Sequence, residues 1–333
     1  MVNKLIYQEK FINIIKHSIP NNISLANEIS SVLDISLDSA YRRLRCETDL
    51  TLNEVVMLSH HFDVPLEALN DEIPNVVTFK FSKELENESN FKDYLNNIAM
   101  DLGYLSKFEL NNLIFAAEDI PVFHHFYFKK LSNFKLFYWM KSIIGLKELQ
   151  TQSFEFDNIN PELGEIGDKI ADTYSIINST EIWTDETISS TLKQVKFYWD
   201  AGFFNQTETA ITILDELQQL IQQLQKQAEF GKKINRKGNM TSQDYTMYHS
   251  DLMIGNNCVV IEANEKQSTY ISYNSFNSMR TSNKFFNDQS KVWINNLKSK
   301  STLISGVAEK QRNQFFKSNN RKIEDLKTYI LNN

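Results

Sequence analysis

The chain has 333 residues, 41% of them hydrophobic, with 23 Phe and 13 Tyr: apolar mass for two folded domains, and too much for a disordered protein. Its formal net charge of −7 argues against holding nucleic acid by bulk positive charge, and two distant cysteines, Cys46 and Cys258, exclude a disulfide framework and fit a reducing cytosol. No apolar run nears the roughly 18–20 residues that span a bilayer, and Glu9 follows too short an apolar start for a secretory signal, so a soluble, cytoplasmic protein is expected.

Nine Gly and five Pro leave few breaks, which favours long helices. A first helix is expected over 4–17, with Ile6, Phe11, Ile14 and Ile15 at helical spacing. A second runs Leu25–Leu33, with Leu25, Ala26, Ile29, Val32 and Leu33 on its apolar side. After the break Asp34-Ile35-Ser36, a third spans Leu37–Cys46, with Ser36 as the hydroxyl that caps its first turn. The pattern turns Leu37, Ala40, Tyr41 and Leu44 inward and leaves Arg42, Arg43 and Arg45 outward. Guanidinium groups in that position suit phosphates and the O6 and N7 atoms of guanine. Thr51 and Glu54 form a capping box that opens a helix to Phe62; Val64 and Pro65 end it, and a short last helix reaches Leu69.

This run resembles the XRE/Cro-type family of helix-turn-helix transcriptional regulators. The likeness lies in Leu25-Ala26, the Ile35-Ser36 turn, the segment Ala40-Tyr41-Arg42-Arg43-Leu44-Arg45, and the tail Leu52, Glu54, Leu58, Phe62-Asp63-Val64-Pro65-Leu66 and Leu69. It covers about the first fifth of the chain. Cys46 departs from it, standing where such domains often end the helix with Gly. The resemblance implies a double-stranded DNA partner, with the Leu37–Cys46 helix in the major groove. Ser36 and Ser39 then approach phosphates, and Arg42, Arg43 and Arg45 divide between base edges and backbone. Residues 1–70 carry six basic and nine acidic side chains, net −3, with three of the six within Arg42–Arg45. A single copy therefore binds weakly, and a homodimer is expected.

Asn70–Asn75, polar around a proline, reads as the boundary. Beyond it Val76–Phe81 reads as a strand, Phe91–Phe108 as a helix, and Leu113–Ala117 as strand or buried helix. Aromatic residues crowd from Val122 to Trp139. They are either core or the lining of a pocket for a small-molecule or peptide effector, formed by Phe123, Phe126, Tyr127 and Trp139 with Glu118, Asp119, His124 and His125 at its edge. Helices are expected over 161–177, 187–199 and 206–230. The last carries Ala210, Leu214, Leu217, Ile221, Leu224 and Ala228, a seam that either packs internally or pairs with a second subunit. A basic loop, Gly231–Gly238, precedes strands at 245–253, 258–262 and 268–273, with turns at 255–257 and 264–266, forming an antiparallel meander. Helices over 283–297 and 307–331 close the chain. Ser305-Gly306 before the last is an ordinary N-cap or an anion site with Lys310 and Arg312.

The expected fold is mainly α (α+β), with a helix-turn-helix domain over 1–70 and a helix-rich sensor or dimerisation domain over 76–333. No nucleophile elbow, phosphate loop, dinucleotide fingerprint or zinc-protease motif occurs, and the acid pairs Glu118-Asp119 and Asp185-Glu186 are weak signals alone. No catalytic residue, metal or cofactor is assigned. The function expected is sequence-specific DNA binding in transcription regulation. The alternative is a protein-interaction module, an adaptor or antitoxin-like partner, which the acidic charge favours.

Overall fold

The computed structural model describes residues 6–18, 24–62, 64, 66–69, 76–264 and 266–333. By its internal contacts the chain divides into Met1–Phe79 with Asn283–Phe285, and Lys80–Ser282 with Phe286–Asn333. The expected boundary Asn70–Asn75, together with Asp63 and Pro65 of the tail, lies outside the described residues.

The first unit contains α1 (Ile6–Ser18), α2 (Leu25–Leu33), α3 (Leu37–Leu44), α4 (Leu52–His61) and a 3₁₀ turn at Leu66–Leu69. Three residues separate α2 from α3. Asp34 ends α2 in the left-handed region, at φ +52°, and its amide donates to Ser30 O. Ser36 then caps α3, its hydroxyl accepting from the Ser39 amide at 3.2 Å. The Thr51–Glu54 capping box is present at the start of α4. Phe11, Ile15, Leu25, Ile29, Ala40, Leu58 and Val64 form the core of this unit. The Gln8 carboxamide ties off the end of α3, donating to Arg43 O and Thr48 O and accepting from the Leu50 amide at 2.8 Å.

The second unit is built on one mixed sheet, not on a small meander. Its strands are β1 (Asn111–Ala117), β2 (Ser179–Trp183), β3 (Lys232–Ile234), β4 (Met240–His249), β5 (Cys258–Ala263), β6 (Lys266–Ser272), β7 (Ser278–Thr281) and β8 (Thr302–Leu303). The order is β3-β4-β2-β1-β5-β6-β7, with β8 on β4. β1, β2 and β4 run parallel, so the first strand of the expected meander, 245–253, falls in β4 beside β2 and not beside β5. The other two, β5 and β6, are antiparallel as expected, and β7, which was not expected, extends them beside β1. Residues 76–79 hold no strand; Lys80 alone bridges Arg280. The basic loop after Gly231 is itself strand β3.

The helices of this unit are α5 (Glu88–Leu105), α6 (Val122–His125), α7 (Lys129–Tyr138), α8 (Pro161–Tyr174), α9 (Ser189–Asp200), α10 (Thr207–Phe230), α11 (Lys284–Ser299) and α12 (Glu309–Leu331); a π-helical turn, Trp139–Ile144, continues α7. Alternation along the strands separates two cores. Leu113, Phe115, Ala117, Trp183, Tyr245 and Met247 face the large helical layer, whereas Ile114, Ala116, Ile182 and Val260 face Ile294 and Leu297 of α11.

Two sequence expectations end inside these cores. The α10 seam, Ala210 to Ala228, is fully buried within its own unit, in the cluster that holds Phe315, Phe316 and Ile323 of α12. It is not open to a second subunit. Arg312 is also buried, donating to Gly306 O at 2.7 Å and Ile304 O at 3.3 Å, so this cation closes a turn in place of holding an anion. Ser305 is not the cap of α12; Ala308 is.

Candidate functional site

The outward face of α3 carries Leu37, Asp38, Tyr41, Arg42 and Arg45. Ala40 is fully buried and Leu44 and Arg43 are half-buried. The expected inward pair Leu37 and Tyr41 is therefore turned out, each 44% exposed, and the expected outward Arg43 is turned in. Arg43 Nη2 lies 2.6 Å from Glu54 Oε1, with both side chains at 15% exposure, and Nη1 donates to Ser39 O at 3.3 Å. Burial pushes the Glu54 carboxyl up, but Arg43 and the Thr51 amide outweigh it and hold it below the usual range. The capping box thus has a third member, which fixes the roll of α3 against α4.

The other predicted contact residues divide. Ser36 is exposed and Ser39 half-buried, and their hydroxyls bond each other at 2.9 Å. Arg45 forms a two-pronged pair with Glu47, at 2.7 and 3.0 Å, which raises the arginine's pKa and lowers the glutamate's. Arg42 is exposed and its guanidinium makes no hydrogen bond or ion pair among the described residues. The left-handed stop after α3 falls on Cys46, at φ +57°, a backbone conformation that favours Gly.

The predicted effector pocket does not form from the aromatic cluster. Phe123 stacks on Tyr174 with centroids 4.4 Å apart, and Phe126 packs so tightly on α8 that a Cβ at Gly167 would lie 2.4 Å from its ring. Tyr127 donates to Ala171 O, and Trp139 packs edge-on to Phe91, Phe126 and Phe276. These four are core, as aromatic stripes usually are.

A cavity of about 970 Å³ opens instead at the carboxyl ends of the three parallel strands. Glu118 and Asp119 follow β1, Thr184, Asp185 and Glu186 follow β2, and Ser250 to Gly255 follow β4. One face of α9 completes it, with Ser189, Ser190, Lys193, Gln194 and Phe197 at helical spacing. The chain next crosses to begin β5 on the far side of β1, and open α/β sheets place ligands where the strand order reverses in this way. Asn257 Oδ1 anchors the crossing, accepting from the Glu118 and Asp119 amides at 2.8 and 3.1 Å. Thr187 Oγ1 donates to Ala117 O and accepts from the Thr184 amide, each at 2.9 Å, so the ends of β1 and β2 are held together. Five carboxylates line the cavity against Lys193 alone. Burial and then Asp119 push the Glu118 carboxyl up; the Ser189 hydrogen bond and Lys322 pull Glu186 down. His249 Nε2 is 3.2 Å from Asp185 Oδ1 without a hydrogen bond. Behind the wall Lys135, 3% exposed, donates to Gln194 Oε1 at 2.6 Å; burial pushes its amine down to about 7.

Below the cavity, on the buried middle strand, Glu181 binds four donors. Oε1 accepts from His124 Nε2 at 2.7 Å and Tyr174 OH at 2.5 Å, and Oε2 from Trp183 Nε1 at 2.8 Å and Tyr245 OH at 3.1 Å. Burial raises the carboxyl, yet His124, Lys233 and Tyr174 outweigh it and hold it at about 2. Lys233 sits 3.1 Å over the Tyr174 ring, and burial pushes its amine well down. The carboxylate is saturated, so it fastens α6, α8, β2 and β4 together and keeps no lone pair for a substrate.

The two acid pairs noted in the sequence thus meet in one cavity, though strand β2 between them was missed. Each pair directly follows a strand, and that position was the available signal. Nothing in the sequence pointed to Glu181, to burial of Lys233, or to Glu54 as the partner of Arg43. Among the described residues no group of three or more His, Cys, Asp or Glu is placed to hold a metal ion, and no helix is long and apolar enough to cross a membrane. Comparison with known proteins finds no matching family model, no matching curated protein and no matching solved structure.

Proposed function

We propose that this chain is a sequence-specific DNA-binding transcription regulator of helix-turn-helix type, with α3 as the helix that enters the major groove. One observation carries the reading: a capped helix crosses α2 after three residues on a fully buried Ala40, and presents Arg42 unpaired to solvent. Arg42 is the principal base or phosphate contact. Arg43 is a positioning residue, Arg45 reaches DNA only by leaving Glu47, and the paired Ser36 and Ser39 hydroxyls lie at the phosphate end. With so few free cations a single copy binds weakly and with a shallow salt slope, so a homodimer places two α3 helices about 34 Å apart. The α10 seam cannot be its interface. The cavity at the strand ends is the effector site in this reading, and its carboxylates favour a cationic or neutral molecule over an anion.

The test is selection of bound fragments from random duplex DNA by the full chain. Enrichment of a common sequence is expected, with Arg42→Ala weakening its binding by about 1–3 kcal/mol. Retention of no sequence above the rest at low salt overturns the reading. One observation favours a protein partner instead: Leu37, Tyr41, Leu52 and Met57 are exposed apolar side chains of the same unit.

A further inference from the structure

Resting on the DNA reading of α3, we propose that Leu37 and Tyr41 are specificity residues that recognise thymine, by contact with the C5-methyl groups of T·A pairs in the major groove. The two lie one helical turn apart on the outward face, each 44% exposed. Their sequence spacing would bury them beside Ala40 and Leu44. They face out because the Arg43–Glu54 pair, itself mostly buried, occupies the inward position. The apolar surface is therefore held outside by a specific internal contact and gains from a partner that covers it.

In the major groove the base edges offer hydrogen-bond donors and acceptors, and one apolar group, the thymine methyl. Leu37 has no polar side-chain atom, so it cannot read guanine, cytosine or the polar edge of adenine. It is the first residue of α3, at the end of such a helix that meets base edges. Tyr41 extends the apolar row by one turn, and its hydroxyl makes no hydrogen bond among the described residues. Arg42 on the same face adds charge, and Asp38 beside it can accept from a cytosine amino group. An operator half-site with thymine at one or two fixed positions follows from this face.

The experiment uses the full chain and a duplex selected from the random pool, with its thymidines replaced one at a time by deoxyuridine, which removes only the methyl. At one or two positions per half-site affinity is expected to fall about fourfold, the worth of one buried methyl. That penalty disappears in Leu37→Ala at one position and in Tyr41→Ala at the other, with the salt slope unchanged because no phosphate contact is lost. Both side chains are exposed, so matching thermal melts verify that the variants fold. DNA binding indifferent to deoxyuridine everywhere, or a penalty that persists in both variants, overturns this inference and leaves the DNA reading standing. Failure to select any duplex overturns both and assigns the apolar face to a protein partner.

Discussion

Each unit shields a glutamate carboxylate beside a basic side chain, and the two are built differently. Arg43–Glu54 lies at the edge of its unit, with each side chain at 15% exposure, and two further bonds, to Ser39 O and from Thr51, complete it. His124–Glu181 lies at no more than 1% exposure, and its carboxylate needs three more donors. The difference follows from desolvation: an ion taken wholly out of water must have every lone pair occupied, whereas one at an edge keeps part of its hydration. The edge pair sets an orientation, the roll of α3. The deep pair joins four elements into one core.

That contrast can be broken by substitution. All four Trp lie beyond residue 80, so tryptophan fluorescence reports the second unit, and hydrogen exchange of α3 and α4 reports the first. The largest effect is expected for Glu181→Ala, which strands His124 and both tyrosine hydroxyls and costs about 3–5 kcal/mol in denaturant unfolding. Its pH signature has a fixed sign. The folded carboxyl sits at about 2, below the roughly 4.3 of a free glutamate, so its stabilisation is complete above about pH 5 and is lost as pH falls toward 2. A midpoint unchanged between pH 5 and pH 3 refutes the assignment.

Lys135→Met comes next, with the opposite sign. Its amine is held near 7 by burial, so the folded state binds fewer protons than the unfolded one between about 7 and 10.4, and stability rises with pH there. The substitution should stabilise by about 1–4 kcal/mol at pH 6, and the gain should fade toward pH 10. In the first unit, Arg43→Met should cost about 1.5–3 kcal/mol, seen as faster exchange in α3 and α4. Ser36→Ala should cost about 1 kcal/mol by the same readout, for one lost cap. Arg42→Ala, exposed and unpaired, should change stability by less than about 0.5 kcal/mol, and any effect it has falls on ligand binding.

Local signals were the legible ones. Ser36, Thr51 and Glu54 cap where the sequence places them, because capping is decided within four residues. Six helices of the second unit, α5 and α8 to α12, lie close to where helical periodicity places them, whereas α6 and α7 were read only as an aromatic run. Strand β2 was invisible because Ser179-Thr180-Glu181-Ile182-Trp183 has no apolar alternation, although every residue is buried. Its Glu181 is satisfied by partners on α6, α8 and β4, which periodicity cannot foresee. The roll of α3 failed similarly: Arg43 reads as a surface residue until Glu54 is known to lie beside it. The α10 seam and the aromatic run were recognised as apolar, but whether an apolar stripe faces its own core, a pocket or a second subunit is decided by the rest of the fold.

Strand β1 has a consequence for synthesis of the chain. Its neighbours are β2 and β5, with Ala116 opposite Cys258, so one edge of a strongly apolar segment is completed only after some 140 more residues have been made. At about 5–20 residues per second that edge waits roughly 7–28 s on the ribosome, while the local contacts of the first unit need no such delay. The second unit is therefore where a nascent chain is open to chaperones and to mispairing, and its yield should respond to translation speed more than that of the first.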